Sequence, residues 1–147
     1  MEGLPSEIQI DPQTIDLADW WAHSLLMKRR GEAMPAPLGV VRPRDEDEVA
    51  LVVRWAAAQG VAIIPRGGGS GVCGGAGSRH GAIVLDLTAL DRIVEIDATS
   101  GVVTAQAGVS GPVLESALNA EKLTLGHVPQ SFHISTLGGW ISTKAIG

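Results

Sequence analysis

The stretch PRGGGSGVCGG, residues 65–75, places six glycines in eleven residues, directly after the apolar run Val61-Ala62-Ile63-Ile64. Glycine loses more conformational freedom on folding than any other residue, so ordering six of them together is unfavourable unless bare backbone has a use. A second apolar run of strand length, AIVLDL at 82–87, follows the loop. A flexible linker is the bland reading, but a connection between two strands of one sheet has little use for six glycines. A P-loop fails because no Gly-Lys-Ser/Thr follows. The run GSGVCG, Gly69 to Gly74, does match G-x-G-x-x-G, with Asp86 lying 17 residues beyond Gly69. That fingerprint requires a helix to begin within the glycines, and GAGSRHGA offers no apolar stripe, so a Rossmann fold is not expected. Beside the linker reading stands a nest of successive backbone N–H groups, open to an anion because no side chains intervene. Hydrogen bonds to a charged group contribute about 1.5–3 kcal/mol each, so a few of them hold a diphosphate without a lysine.

The totals agree with local rather than global attraction of an anion. The 147-residue chain carries a net charge of −5, which argues against a nucleic-acid partner. Its length suffices for a domain with a real core. No apolar run approaches the roughly 20 residues of a membrane span, and the acidic start MEGLPSEIQIDPQ lacks the features of a secretory signal. A single cysteine, Cys73, excludes an internal disulfide and suits a reducing compartment, so a cytoplasmic location is expected.

Periodicity supplies the frame. Residues 16–29 predict a helix with Leu17, Trp20, Trp21 and Leu25 on its core side and Asp16 as a cap. GEAMPAPLGVVRP, with three prolines, reads as a linker. A second helix starts at Asp45, which forms a D-x-x-E capping box with Glu48. It buries Val49, Val52, Val53, Ala56 and Ala57 and stops at Gly60. Ile93–Ile96 and Val102–Ala107 form a hairpin through DATSG. Pro112 opens a third helix with Val113, Leu114, Ala117 and Leu118 inward. The tail is loop with one helical turn. The resulting class is α+β, a sheet covered by helices.

Read with its flanks, the loop resembles a known family. VRPRDEDEVALVVRWAAAQGVAIIPRGGGSGVCGG is similar to the opening of the FAD-binding domain of the vanillyl-alcohol oxidase (PCMH) type. IVLDLTALDRIVEID and VTAQAGVSGPVLESAL resemble its later segments in order and spacing. LGHVPQSFHISTLGGWISTKAIG resembles the G-H-x-P-[DQ]-S-x-x-x-S-T-[VL]-G-G-W stretch of alkyldihydroxyacetonephosphate synthases and related FAD-linked oxidases. The resemblance covers about residues 42–147 and implies a domain at 39–147 behind an N-terminal helical segment and linker at 1–38. It further implies that the first subdomain of the fold is complete and the second truncated.

The resemblance implies FAD as cofactor, contacted at three places. Pro65, Arg66, Gly67, Gly68, Gly69, Ser70 and Gly71 match the pyrophosphate loop. Gln130, Ser131, Phe132, His133, Ile134, Ser135 and Thr136 match a segment passing the flavin end, and Thr143, Lys144, Ala145 and Ile146 match a third contact. Lys144 stands where the family usually has arginine, and Ile146 where it has a small residue. Ser70 holds the place of the histidine that attaches FAD covalently in some relatives, so non-covalent FAD is expected, with Cys73 a packed small residue. Substrate would be a small molecule under a C-terminal cap domain that these residues do not include. No residue is assigned as catalytic, no His/Cys/Asp cluster has metal-ligand spacing, and Ser70, Ser131 and Ser135 lack a His–Asp arrangement. Two functions stand side by side: the FAD-binding portion of an FAD-dependent oxidoreductase or ether-lipid synthase, and a non-catalytic module binding FAD weakly or not at all. Either way, apolar surface around Trp140 and Ile141 is expected to be exposed.

Overall fold

The computed structural model describes residues 17–147. Its elements in order are α1 (Ala22–Arg29), β1 (Gly39–Val41), α2 (Glu46–Gln59), β2 (Ala62–Arg66), β3 (Ala82–Asp86), β4 (Ile93–Asp97), β5 (Val102–Ala105), α3 (Gly111–Ala120) and α4 (Leu137–Thr143). Among them, β1, β3 and β2 form a parallel sheet with β3 in the middle, and β4 and β5 pair antiparallel.

α2 begins as its sequence dictates. The Asp45 side chain accepts from the Glu48 backbone N–H at 2.9 Å. The Glu48 carboxylate reaches one residue further back than a reciprocal box, accepting from the Arg44 N–H at 2.8 Å and from the Arg44 guanidinium. Gly60 closes the helix in the left-handed region at φ 65°. The buried face is Val52, Trp55 and Ala56, with Val49 beside it. Val49, Val52 and Ala56 face inward as expected, whereas Val53 and Ala57 are exposed and Trp55 completes the buried face in their place. These residues pack on Val41, Ile83 and Leu85 to make the first core.

β3 is buried along its whole length because it has a strand on either side. The linker reading of 31–43 misses β1, whose residues Gly39, Val40 and Val41 align with Ile83, Val84 and Leu85. β2 runs on through Pro65 and Arg66, which align with Leu85 and Asp86. Pro65 is tolerated because β2 lies at the sheet edge.

The second core gathers Val109, Leu114, Leu118 and Trp140, flanked by Ile93, Ile96, Val103 and Phe132. α3 starts at Gly111 with Pro112 in its first turn. Leu114 and Leu118 point inward, whereas Val113 is 53% exposed, contrary to expectation. β5 ends at Ala105, short of Ala107, because Gln106 turns inward. Its side-chain carbonyl accepts from the Arg92 N–H, and its amide donates to Glu46 at 2.8 Å. Buried Gln106 thus ties the hairpin to α2.

The first helix differs most. It starts at Ala22, Trp20 is 55% exposed, and Trp21 and Leu25 are also exposed, so no core stripe forms there. Trp21 stands at the N-cap with no side-chain cap, and Asp19 just ahead of it accepts from the Trp21 N–H at 3.2 Å and from Ser24 Oγ at 2.8 Å. The proposed cap Asp16 lies outside the described residues. Near the C-terminus, α4 is longer than the single turn expected. Trp140 is buried at 5% exposure, while Ile141 is exposed at 72%, so only part of the anticipated apolar surface appears. Cys73 is exposed rather than packed.

Candidate functional site

The glycine loop leaves β2 at the end of the parallel sheet and runs from Gly67 to Ser78 without regular secondary structure. No helix follows it, which removes the context a Rossmann fingerprint needs. Asp86, the acid at nearly Rossmann distance, is 2% exposed and committed elsewhere. It accepts from Arg42 Nε at 2.8 Å and from the Thr88 hydroxyl at 2.6 Å.

The second segment folds directly onto the loop. A Cβ added to Gly67 would lie 2.2 Å from Thr136 Oγ1, and one on Gly68 only 1.8 Å from the Ile134 carbonyl oxygen. The loop glycines therefore admit close backbone approach by residues 134–136. That segment is fixed by a compact turn: Ser131 O accepts from the Ser135 N–H and from Ser135 Oγ, each at 2.8 Å. Ser135 Oγ in turn accepts from Trp140 Nε1. The Phe132 ring stacks on Trp140 with centroids 6.1 Å apart, and His133 stands edge-on to Phe132. Gln130 and His133 are exposed.

Between the two cores lies a cleft of about 280 Å³ lined by Gly68, Thr88, Asp91, Gly108, Ser110, Val113, Ile134 and Thr136. Ser110 and Thr136 form an antiparallel bridge and stand at the N-termini of α3 and α4, neither using its side chain as a cap. The walls thus offer hydroxyls and bare backbone. Asp91 is the charged residue among them.

Of the three segments matched from sequence, the first two meet here through Gly68, Ile134 and Thr136. Pro65 and Arg66 belong to β2, and the Arg66 guanidinium turns inward, donating to Ala76 O at 2.5 Å and Ala18 O at 2.7 Å. Thr143, Lys144, Ala145 and Ile146 sit at the far end of α4 and do not line the cleft. Lys144 occupies the left-handed region at φ 51°, and Ile146 is 94% exposed. From sequence, none of Thr88, Asp91, Gly108, Ser110 and Val113 is assigned to the site, Val113 being read as a core position. Gly108 and Ser110 lie in the run AGVSG, whose glycines are required by contact: a Cβ on Gly108 would lie 2.2 Å from Leu87 O, and one on Gly111 2.6 Å from Phe132 O.

His127 is half-buried with its ring edge against Trp140, and its Nε2 has no partner among the described residues. Among those residues no cluster of His, Cys, Asp or Glu can hold a metal ion, and no helix is long and apolar enough to cross a membrane.

A parallel three-stranded sheet, an antiparallel hairpin and a glycine-bearing cleft formed by their connecting loops make up a mixed α+β fold. The chain belongs to the FAD binding domain family, whose model matches residues 37–147. It is 38% identical over 129 residues to the alkyldihydroxyacetonephosphate synthase of Caenorhabditis elegans, covering 85% of this chain and 22% of that protein. An FAD-linked oxidoreductase of Escherichia coli is 36% identical over 115 residues, covering 78% of this chain and 24% of that one. A solved structure of alkyldihydroxyacetonephosphate synthase superposes with a TM-score of 0.84 at 31% identity, over 98% of this chain and 27% of that one. The chain thus spans about a quarter of the length of the relatives it matches.

Proposed function

We propose that this chain is the FAD-binding portion of an FAD-dependent oxidoreductase, or of an enzyme like alkyldihydroxyacetonephosphate synthase, acting on a small molecule. The observation that carries this reading is the contact of Gly67 and Gly68 with Ile134 and Thr136, which joins two sequence-distant segments at one cleft. The site fits a diphosphate: the loop backbone, Ser110 and Thr136 present neutral donors, and a side chain at Gly68 would close the approach. The cleft lies just below the roughly 300–1,000 Å³ of ligand pockets, so it suits the pyrophosphate while the remainder of the cofactor extends beyond it. Bound FAD would supply the redox chemistry, and the protein would orient it and limit water access. Binding is non-covalent, since Ser70 offers no nucleophile suited to a flavin link. Residues 130–136 lie toward the flavin and residues 143–146 form an outer contact. Residues 39–147 constitute the FAD domain, and the location is cytoplasmic.

The test uses Ser110, which lines the cleft at the α3 N-terminus. Ser110→Asp puts a residue well suited to the N-cap position there but places a carboxylate against the diphosphate. The purified chain is incubated with FAD, gel-filtered and scanned for visible absorption. A flavin band with the wild type, lost in a Ser110→Asp protein of unchanged thermal stability, supports the reading. A colourless wild type refutes FAD binding by this chain.

A further inference from the structure

The matched family region begins at residue 37, yet residues before it also hold the glycine loop. Arg66 is 7% exposed at the end of β2, and its two terminal nitrogens reach opposite neighbours: Ala76 O within the loop and Ala18 O in the segment ahead of α1. The Trp20 N–H donates to Gly71 O at 2.9 Å, and the Ser78 N–H donates to Leu17 O at 3.2 Å. Asp19, 1% exposed, turns the chain at this point through Trp21 N and Ser24 Oγ. The Trp21 ring lies on the loop so closely that a Cβ at Gly74 would come within 2.8 Å of it. Gly69, at φ 69°, likewise accommodates the Arg66 guanidinium, which a Cβ would meet at 2.2 Å.

Residues 69–78 have no helix or strand to fix them, so these contacts set their shape. We infer that Leu17–Trp21 and Arg66 form a brace that sets the conformation of the glycine loop, and that Arg66 is a positioning residue acting on the cofactor through the loop, not an ionic ligand of its diphosphate. In an acidic chain an arginine beside the glycines invites the ionic assignment. Here its charge is engaged by two backbone carbonyls and screened from solvent. The inference about the cofactor rests on the function proposed above, while the brace itself does not.

The experiment compares the full chain with Trp21→Ala and Arg66→Lys. Trp21 is exposed enough for its removal to spare both cores, and lysine retains the charge of Arg66 but cannot fork onto two carbonyls. Amide hydrogen exchange is measured without ligand, and FAD affinity by flavin fluorescence. Both variants should accelerate exchange of the Trp20 and Ser78 amides, which donate across the brace, by about tenfold or more while protection of β1, β2 and β3 is kept, and should weaken FAD binding by about tenfold. Unchanged exchange at Trp20 and Ser78 in both variants overturns the brace. Faster exchange with unaltered FAD affinity, or Arg66→Lys binding as well as wild type, overturns the positioning role. If wild type binds no FAD, the functional reading and the positioning role fall together, and the exchange data alone decide the brace.

Discussion

Gly68→Ala separates two reasons for the glycine loop. If glycine serves only to admit a ligand, one methyl group leaves the ligand-free protein as stable as before. The geometry says otherwise. The new Cβ would lie 1.8 Å from the Ile134 carbonyl oxygen, so the two segments must separate by about 1.6 Å to reach ordinary contact near 3.4 Å. Backbone cannot rotate aside as a side chain tip does. Overpacking of this kind destabilises by about 1–3 kcal/mol. Gly71 provides the internal control, because its Cβ would meet nothing within 4 Å and its φ is not in the left-handed region. There alanine restricts the unfolded chain and should stabilise by about 0.4–1 kcal/mol where the native backbone suits it. Urea unfolding of the ligand-free proteins, followed by tryptophan fluorescence, gives both numbers. The expected order of midpoints is Gly71→Ala at or above wild type, with Gly68→Ala clearly below. Equal midpoints for Gly68→Ala and wild type would refute the packing argument and leave ligand access as the sole reason for that glycine.

Other perturbations probe the frame around the site. Leu114→Ala empties a buried position in the second core and should lose about 2–5 kcal/mol in denaturant unfolding. Asp45→Ala removes the α2 cap and should lose about 1 kcal/mol, whereas Asp45→Ser should retain most of it. Arg42→Met leaves the buried Asp86 carboxylate with Thr88 as its remaining partner and should destabilise by at least about 1–3 kcal/mol, read from the same curves. Hydrogen bonding from Arg44 holds the Glu48 carboxyl below its ordinary range, and that from Gln106 does the same for Glu46. Because both are depressed in the folded state, their stabilisation is present above the unfolded value near 4.3 and lost as pH falls through the folded ones. Glu48→Gln should therefore flatten the acid limb of a plot of unfolding free energy against pH.

The order of elements from α2 onward was legible because each carries its own punctuation. Asp45, Gly60 and Pro112 act through local backbone chemistry, and the structure places caps and starts within a residue of them. β1 was hidden because Gly39-Val40-Val41 is too short for a periodic pattern and sits among prolines; its existence depends on distant β3. α4 was partly concealed by Gly138-Gly139, poor helix formers whose presence is explained at Gly138 by a contact: a Cβ there would lie 2.7 Å from that of Ala107. The Trp20-Trp21 pair misled because helical spacing identifies a stripe but not what faces it. At the site, the glycine loop and the 130–136 segment stood out by composition and motif. Ser110 and Thr88 did not, since a lone hydroxyl carries no signal until folding sets it beside a cleft.

The parallel sheet has a consequence for synthesis. Its middle strand is the last of the three in the chain, so β1 and β2 have no partner in this sheet until Ala82–Asp86 has been made and released. Twenty residues separate Arg66 from Asp86, an interval of about 1–4 s at typical elongation rates of 5–20 residues per second. During it the apolar face of α2 waits without the strand it will cover, and two unpaired strand edges are open to other chains. The glycine loop occupies most of that interval, a spacer without helix or strand that emerges while β1 and β2 still lack the strand between them.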